Sequence, residues 1–335
     1  MNTYSGPLRV GVAGATGYAG QELVGLLARH PNARLDLAMS SSPDSAARPL
    51  PRLARVWEGQ VEPLNRSRLA RDLDVAFLAV PESAAAELAP PLVNAGVRVI
   101  DLSGAFRIRD AAARLRWYPA TKAVPSGAAY GLTEHYKADV REAALVANPG
   151  CYPTAALLAL LPLVKGGRLD TTSDVVIDAK SGISGAGRAA TDRTHFSENH
   201  GSVSAYGIFG HRHVAEMEQE LGASVTFVPH LVPLDRGILE TIYVKVAPGT
   251  TAEQIGDAFT TAYHDEPFVR LTGEALPEIK HVAWTNFCDI GWRLEPGSRR
   301  LVIVACLDNL VKGAAGQALQ NFNVACGFDE RTALL

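Results

Sequence analysis

Short apolar runs, each closed by turn residues, recur through the first half of the chain and predict buried strands. We predict strands over residues 8–13, 33–39, 74–80, 97–102 and 143–147. Helical patterns lie between them, over residues 21–30 and in an alanine-rich stretch that ends near residue 95. Strands that alternate with helices are typical of a doubly wound parallel sheet, so we predict an N-terminal α/β domain of the Rossmann type.

The second half of the chain alternates apolar and polar positions instead. Ile242 and Val244 illustrate the alternation, which predicts a largely antiparallel sheet with one face covered. Strands are predicted at residues 174–179, 224–232, 238–246 and 300–307, and helices from His213 to Leu221, at 251–262 and at 309–322. Residues 110–118 and 121–136 are interpreted as connecting, surface-facing segments.

Small residues along the last predicted helix indicate close packing against another part of the protein. We therefore predict that this helix returns to the N-terminal domain. The resulting domains are residues 1–148, completed by about 309–335, and residues 149–308. The first would bind a nucleotide, and the second would carry the substrate site and the oligomer contacts.

Composition excludes several function classes. The 335 residues are 47% hydrophobic with a formal net charge of −3, which favours a globular protein over a nucleic-acid or membrane partner. No run approaches the length of a membrane span. The cysteines, 151, 288, 306 and 326, are too scattered for a disulfide framework, so we predict a cytoplasmic enzyme with reduced thiols.

A glycine turn follows the first predicted strand and precedes a helix. Its residues are Gly11, Gly14, Thr16, Gly17, Tyr18, Ala19 and Gly20. Glycines let a backbone approach a pyrophosphate, and the start of a helix offers N–H donors to it. The spacing Gly-x-x-Gly-x-x-Gly differs from the commoner G-x-G-x-x-G, and a simple tight turn is the alternative. The position in a strand–turn–helix unit favours dinucleotide binding.

The end of the second predicted strand indicates which dinucleotide is bound. NAD-binding domains place an acidic residue there for the ribose 2′-hydroxyl. This chain has Ser40, Ser41 and, further on, Arg48, which suit a 2′-phosphate. We therefore predict NADP(H), and Asp36, inside the strand, is the counter-candidate for NAD.

Cys151 stands between a strand-like run and an apolar, helix-prone segment that begins with Pro153 and Thr154. Proline is well placed near a helix start, so Cys151 is predicted at a helix N-terminus. Free N–H groups and the helix dipole stabilise a thiolate there. A buried structural cysteine is the alternative.

His211 lies just before the helix predicted from His213. It is a candidate general acid or base, and Glu216 is a candidate to orient it. His211 and His213 also suggest a metal pair, but no third ligand has suitable spacing, so no metal is predicted. Arg107, after the strand at 97–102, is a candidate anion binder or a solvated side chain. The glycine- and serine-rich stretch 180–188 is predicted to be a functional loop near the nicotinamide.

Tyr118 and Lys122 match the Tyr-x-x-x-Lys pair of short-chain dehydrogenases in spacing alone. That pair must share one face of a helix. Pro119 and Pro125 make such a helix improbable, so we do not assign this activity.

Taken together, these motifs resemble the N-acetyl-gamma-glutamyl-phosphate reductase family of arginine biosynthesis. The resemblance covers nearly the whole chain and is carried by residues 11–20, 101–107, 148–154, 181–187, 206, 210–221 and 309–316. It implies that a Cys151 thiolate displaces phosphate from an acyl phosphate and that NADPH reduces the thioester to an aldehyde. His211 would be the acid/base.

The same resemblance implies roles for further residues. Arg107 and Asn148 would bind phosphate or the developing oxyanion, and Ser181, Gly182 and Asn309 would contact the cofactor. Arg188 and Arg212 are further substrate candidates. The 101–105 and 198–205 segments depart from the expected pattern, which leaves open a relative that reduces carrier-bound aminoadipyl phosphate in lysine synthesis. A non-catalytic nucleotide-binding redox sensor is the alternative of another class. A homo-oligomer, dimer or tetramer, is expected.

Overall fold

The computed structural model describes residues 6–273 and 275–335. The strands are β1 Leu8–Ala13, β2 Ala33–Met39, β3 Val75–Leu78, β4 Arg98–Asp101, β5 Ala128–Tyr130, β6 Leu145–Ala147, β7 Val175–Gly182, β8 Ser204–Ala205, β9 Val225–Val232, β10 Ile238–Lys245, β11 Val269–Leu271, β12 Cys288–Leu294 and β13 Arg300–Leu307. The helices are α1 Tyr18–Leu27, α2 Arg66–Asp72, α3 Glu82–Asn94, α4 Ala111–Trp117, α5 Thr133–Glu142, α6 Cys151–Lys165, α7 Phe196–Asn199, α8 His213–Leu221, α9 Ala252–Tyr263, α10 Ile279–Val282 and α11 Gly316–Cys326.

The described residues form two compact units. The first contains the chain up to Gly150 together with Ala314–Leu335, and the second is Cys151–Gly313. No helix in 6–273 or 275–335 is both long enough and apolar enough to span a membrane.

The sheet of the first unit is parallel throughout, in the order β2-β1-β3-β4-β6-β5. The chain adds β2 on one side of β1 and then places β3 on the other side. This reversal is a topological switch point, and doubly wound sheets bind ligands at the carboxyl ends of the strands there. The predicted Rossmann-type sheet is therefore confirmed.

Helices cover both faces of this sheet, which explains why its strands are apolar runs without alternation. Leu23 of α1 and Phe322 of α11 share one buried cluster with Phe77 of β3, and the Phe77 and Phe322 ring centroids are 5.6 Å apart. Leu88 of α3 belongs to the buried cluster on the opposite face. The C-terminal helix thus forms part of the first unit's core, as predicted.

The second unit has a mixed sheet in the order β11-β12-β13-β10-β7-β9-β8. Four of its six pairings are antiparallel, and the β11–β12 and β7–β9 pairs are parallel. Helix α6, apolar along nearly its whole length, packs on β10 and β13. Ile242 is buried on that side, whereas Tyr243 is exposed on the other, so the predicted covered face is confirmed.

The prediction for residues 110–136 was wrong in part. These residues form α4, β5 and the beginning of α5, and Tyr118, Leu132 and Thr133 are buried. Tyr118 packs so closely on Gly104 that a Cβ there would lie 2.3 Å from the tyrosine ring. Packing against the loop after β4, rather than local sequence, orders this segment.

Two further differences concern the second half. Strands β11 and β12 were missed, because Asp289 and Gly291 interrupt the apolar pattern of β12. The last helix begins at Gly316 rather than at residue 309. It is preceded by a wide π-helical turn over Val311–Ala315.

Candidate active site

The glycine turn lies at the switch point of the first sheet. Gly14 has a φ of +87°, and a Cβ on it would lie 2.1 Å from the Ala79 carbonyl oxygen, which follows β3. The Gly14 and Ala15 N–H groups both donate to the Met39 carbonyl at 2.8 Å. A residue without a side chain is therefore required where the turn passes between two strands.

This turn leads directly into α1, three residues before the predicted helix start. Gly17 is the N-cap residue, and Tyr18 and Ala19 open the helix. A Cβ on Gly20 would lie 2.2 Å from the Gly14 carbonyl oxygen, so the helix starts in close contact with the turn. The turn, Thr16 and the helix start together fit a pyrophosphate, which needs close backbone approach and N–H donors.

Gly11 has another role. It lies inside β1, where a Cβ would be 2.4 Å from Leu73 Cδ1. Packing of the strand therefore explains this glycine, and the predicted cofactor contact has no support at this position.

The loop after β2 carries the side chains predicted to choose between NADP and NAD. The Ser40 hydroxyl is buried and donates to the Ser42 carbonyl at 2.6 Å, which makes it part of the turn rather than a group open to a ligand. Ser41 and Arg48 are exposed. Asp36 lies three residues before the strand end, and its carboxylate accepts from Arg34 Nε at 2.6 Å. Asp36 is therefore occupied by Arg34 and is not at the strand terminus.

Arg107 and Asn148 form a linked structural pair in the first unit. Arg107 is buried, with Nε donating to the Asn148 carbonyl and Nη2 to the Leu102 carbonyl, each at 2.8 Å. The Asn148 side chain donates to the Ala314 carbonyl at 3.2 Å and accepts from Asn321 at 3.0 Å. These contacts join the loops after β4 and β6 to the C-terminal segment, and the phosphate and oxyanion roles of Arg107 and Asn148 stay predictions.

Cys151 is the first residue of α6, as predicted, and is partly exposed. Proline is tolerated in the first turn of a helix, so Pro153 marks the start of α6 in the sequence. Cys288 and Cys306 are buried, and burial raises the pKa of Cys326 to about 11. Of the four thiols, Cys151 has the surroundings of a nucleophile, since a helix N-terminus favours its thiolate.

Aromatic rings surround His211 in the second unit. Its ring centroid lies 5.6 Å from that of Tyr152, 5.7 Å from Tyr206 and 5.3 Å from Phe227. The hydroxyls of Tyr152 and Tyr206 are 3.1 Å apart. Burial raises the pKa of Tyr206 to about 12, and negative charge on Cys151 adds to that rise.

Hydrogen bonding determines which nitrogen of His211 carries the proton. The His213 backbone N–H donates to His211 Nδ1 at 3.2 Å, so the neutral ring has its proton on Nε2. Burial, and secondly the charge of Arg212, lower the pKa of His211 to about 4. His211 is therefore a neutral hydrogen-bond donor at physiological pH, suited to an oxygen that gains negative charge.

Glu216 faces the other histidine. Its Oε1 lies 3.9 Å from His213 Nε2, and its carboxylate is fully buried. Glu216 is thus paired with His213, and the role of Glu216 in orienting His211 stays a prediction. No metal-binding group of three His, Cys, Asp or Glu occurs within 6–273 and 275–335.

The predicted loop at 180–188 begins later than expected, since β7 continues through Ser181 and Gly182. Asn309 accepts from the Gly237 N–H at 2.7 Å and donates to Ser184 Oγ at 2.9 Å. Its amide therefore ties two loops together, and the cofactor contact of Asn309 stays a prediction. Arg188 and Arg212 are both exposed.

Comparison with known proteins identifies the family to which the chain belongs. The descriptions "Semialdehyde dehydrogenase, NAD binding domain" and "Semialdehyde dehydrogenase, dimerisation domain" match residues 9–143 and 151–309. The N-acetyl-gamma-glutamyl-phosphate reductases of Shouchella clausii and Bacillus subtilis are 43% and 42% identical to this chain, each over 98% of both proteins. The chain belongs to the N-acetyl-gamma-glutamyl-phosphate reductase family. The predicted family and a nicotinamide dinucleotide cofactor are thereby confirmed.

Solved structures support the same fold at lower identity. Aspartate semialdehyde dehydrogenase II of Vibrio cholerae, complexed with ASA, has a TM-score of 0.72 at 18% identity, over 96% of this chain and 99% of that one. The Candida albicans aspartate semialdehyde dehydrogenase with NADP has a TM-score of 0.67 at 16% identity, over 95% and 98%. The N-acetyl-gamma-glutamyl-phosphate reductase family therefore shares this two-unit fold with another semialdehyde dehydrogenase.

Sequence reasoning missed the Tyr152–Tyr206 hydroxyl pair. The position of Tyr152 next to Cys151 was the available signal. The short-chain dehydrogenase pair is excluded, because α4 ends at Trp117 and Tyr118 and Lys122 lie beyond it. The Tyr-x-x-x-Lys mechanism of short-chain dehydrogenases is therefore not assigned to this member of the N-acetyl-gamma-glutamyl-phosphate reductase family.

Proposed function

We propose that this enzyme catalyses the NADPH-dependent reductive dephosphorylation of N-acetyl-γ-glutamyl phosphate to N-acetylglutamate 5-semialdehyde. The observation that carries the proposal is Cys151, partly exposed at the first residue of α6. It stands in a chain 42–44% identical to reductases of that name over 98% of its length.

Cys151 starts the reaction. Its thiolate attacks the carbonyl carbon of the acyl phosphate, the bond from that carbon to the phosphate oxygen breaks, and phosphate leaves with the electron pair. The product is a thioester on Cys151, which divides one difficult step into two easier ones. Arg188 and Arg212, two exposed cations of the second unit, are the candidates for meeting the leaving phosphate.

NADPH, when bound, supplies the hydride that reduces the acyl carbon. His211 Nε2–H donates a hydrogen bond to the oxygen that becomes negative on that carbon. This stabilisation is typically worth about 3 kcal/mol. When the carbon–sulfur bond breaks, the oxygen again forms a carbonyl, the aldehyde leaves and Cys151 is a thiolate once more. The lowered pKa of His211 supports a donor role for the neutral ring and disfavours proton transfer from the thiol to this ring, which would form an imidazolium.

For the cofactor, we propose that Gly14, Thr16, Gly17, Tyr18 and Ala19 hold the pyrophosphate of NADP(H). Ser41 and Arg48 would then meet the 2′-phosphate, because both are exposed after β2. Titration of NADPH and NADH against wild type and Arg48→Ala tests this. The variant should lose affinity for NADPH only, and an equal loss for both would contradict the role of Arg48.

The function is tested in the reverse direction with N-acetylglutamate semialdehyde, phosphate and NADP⁺. Wild type and Cys326→Ser should form NADPH only when phosphate is present, and Cys151→Ser should be inactive. Mass spectrometry of wild type should reveal the acylated Cys151. Activity that persists in Cys151→Ser would refute the proposal. Aspartate semialdehyde and a carrier-bound aminoadipate semialdehyde are the competing substrates, and preference for either would reassign the specificity.

We further propose that the enzyme is a cytoplasmic homo-oligomer in which a second copy covers the open face of the second unit's sheet. A groove of about 690 Å³, lined by Val176, Tyr243 and Val302 among others, lies on that face, and the dimerisation-domain description spans it. The four cysteines are free thiols, in keeping with the cytoplasm. Light scattering of Tyr243→Asp should give a smaller particle than wild type, and an unchanged mass would exclude this face.

A further inference from the structure

Three loops of the second unit meet at one end of its sheet. Ile238 pairs with Ser181 on β7 and with Leu307 on β13, so the end of β7, the start of β10 and the end of β13 lie side by side. The loops attached there contain residues 183–186, 233–237 and 308–313. Gly182 packs so closely on the second loop that a Cβ would lie 2.7 Å from Arg236 Cα.

A buried ion pair joins two of these loops. Arg236 Nη1 lies 3.2 Å from Asp308 Oδ2, and the two side chains are only 3% and 0% exposed. The carboxylate also accepts backbone N–H groups from Leu310 at 2.8 Å, Val311 at 3.0 Å and Trp284 at 2.6 Å. Because burying an ion pair carries a desolvation cost, it is weak evidence for stability, and its best-attested use is to specify one geometry.

Asn309, next in the chain, adds the tie to Gly237 and Ser184 described above. The two consecutive side chains, Asp308 and Asn309, therefore both fix the beginning of the 308–313 loop. A loop held in this way has little freedom to shift.

The other end of that loop touches Cys151. The Gly313 N–H donates to the Asp308 carbonyl at 2.8 Å, and a Cβ on Gly313 would lie 2.7 Å from Cys151 Cβ and 3.2 Å from Cys151 Cα. The loop enters a π-helical turn, an irregularity that is frequent at functional sites. Nothing larger than glycine fits behind the cysteine without displacing one of them.

We propose that Arg236, Asp308 and Gly313 form a positioning element that fixes where the Cys151 sulfur points. The ion pair sets the loop, and the bare backbone of Gly313 is the surface against which Cys151 rests. The proposal rests on the proposed function, in which Cys151 is the nucleophile. Misplacing a reacting atom by about 1 Å can cost about 10²-fold in rate, so such an element has a measurable effect.

The first test compares Gly313→Ala with Gly256→Ala, a control in α9 whose added Cβ would meet nothing closer than 3.8 Å. We expect Gly313→Ala to lower kcat by about 10²-fold while KM stays within about threefold. The rate of Cys151 alkylation by iodoacetamide, followed by mass spectrometry across pH, should shift in Gly313→Ala only. A folded Gly313→Ala with the kcat and alkylation profile of the control would overturn the proposal.

A second pair of variants serves if Gly313→Ala does not fold. Arg236→Met removes the charge that pairs with Asp308, whereas Arg236→Lys keeps a positive charge on a side chain of different shape. The kcat should therefore fall further in Arg236→Met than in Arg236→Lys. A wild-type kcat and alkylation profile in folded Arg236→Met would also overturn the proposal. Alkylation needs no substrate, so its rate reports on the positioning of Cys151 independently of the reaction. If wild type fails to oxidise the semialdehyde, that result refutes the proposed function but leaves the positioning proposal to be decided by the alkylation rates.

Discussion

The Tyr152 hydroxyl lies 3.1 Å from the Tyr206 hydroxyl, directly beside the residue that begins α6. Burial raises the pKa of both phenols, and the charge of Cys151 raises them further. Both hydroxyls therefore stay protonated when Cys151 ionises. The two rings form two walls of the His211 pocket.

The hydroxyl pair predicts the effect of Tyr206→Phe. The variant removes one buried hydrogen bond, which is worth about 1 kcal/mol of unfolding free energy. Urea unfolding measures the loss. A cycle with Tyr152→Phe should give a coupling of about 0.5–1.5 kcal/mol, and zero coupling would show that the two hydroxyls do not interact.

His211 predicts a dependence of stability on pH. Its pKa is about 4 in the folded protein, whereas an unfolded histidine titrates near about 6.5. Between these values the unfolded chain binds more protons, so the unfolding free energy should fall as pH drops from about 6.5 to about 4. Urea unfolding at both ends should show a smaller drop in His211→Asn than in wild type or in His281→Asn, an exposed control.

The same variant tests catalysis. His211→Asn should lower kcat by roughly 10²–10³-fold, the range for removal of one hydrogen-bond donor to an oxyanion. A larger loss in His213→Asn would transfer the role to the histidine beside Glu216.

Glu240 predicts a slope of the opposite sign. It lies on β10 between Ala179 and Ala305, fully buried, and both carboxylate oxygens lack a hydrogen-bond partner among the described residues. Burial raises its pKa well above the usual value, so the folded protein holds a proton that the unfolded chain releases above about pH 4.5. Stability should therefore decrease as pH rises through this range.

Glu240→Gln should remove that slope. We expect a gain on the order of 1 kcal/mol or more at pH 8 and a smaller one near pH 4.5, measured by urea unfolding. Glu58→Gln, at an exposed position, should leave both values unchanged. A gain independent of pH would mean that Glu240 does not ionise on unfolding.

The glycine turn predicts a contrast between two neighbouring substitutions. Gly14→Ala forces a side chain into positive φ and against the Ala79 carbonyl, so it should cost more than about 2 kcal/mol and abolish NADPH binding. Gly17→Ala, with a φ of −71° and a nearest contact of 3.5 Å, should cost less than about 1 kcal/mol. Thermal unfolding and NADPH fluorescence titration measure both. Equal effects would contradict the turn geometry.

The sequence was sufficient where local pattern determines structure. The strands at 8–13, 33–39 and 300–307 were predicted within a residue, and helix starts were predicted close to Cys151 and His213, because apolar runs, prolines and glycines mark them. β5 was missed because three residues give no periodicity, and it forms through pairing with β6.

The roles of polar side chains were the least predictable. Asn148 meets Asn321, 173 residues further along the chain, and Asn309 meets Ser184, 125 residues before it. No local pattern contains such pairings. An asparagine in a motif therefore looks the same whether it binds a ligand or joins two loops.

The contribution of Ala314–Leu335 to the first unit bears on how the chain folds during synthesis. Ribosomes make all six strands of that unit's sheet long before Phe322 of α11 is available to cover Phe77. The second unit, a continuous segment, can reach its native state earlier. Chains released before residue 314 would keep an uncovered apolar face, the kind of surface that promotes aggregation and attracts chaperones.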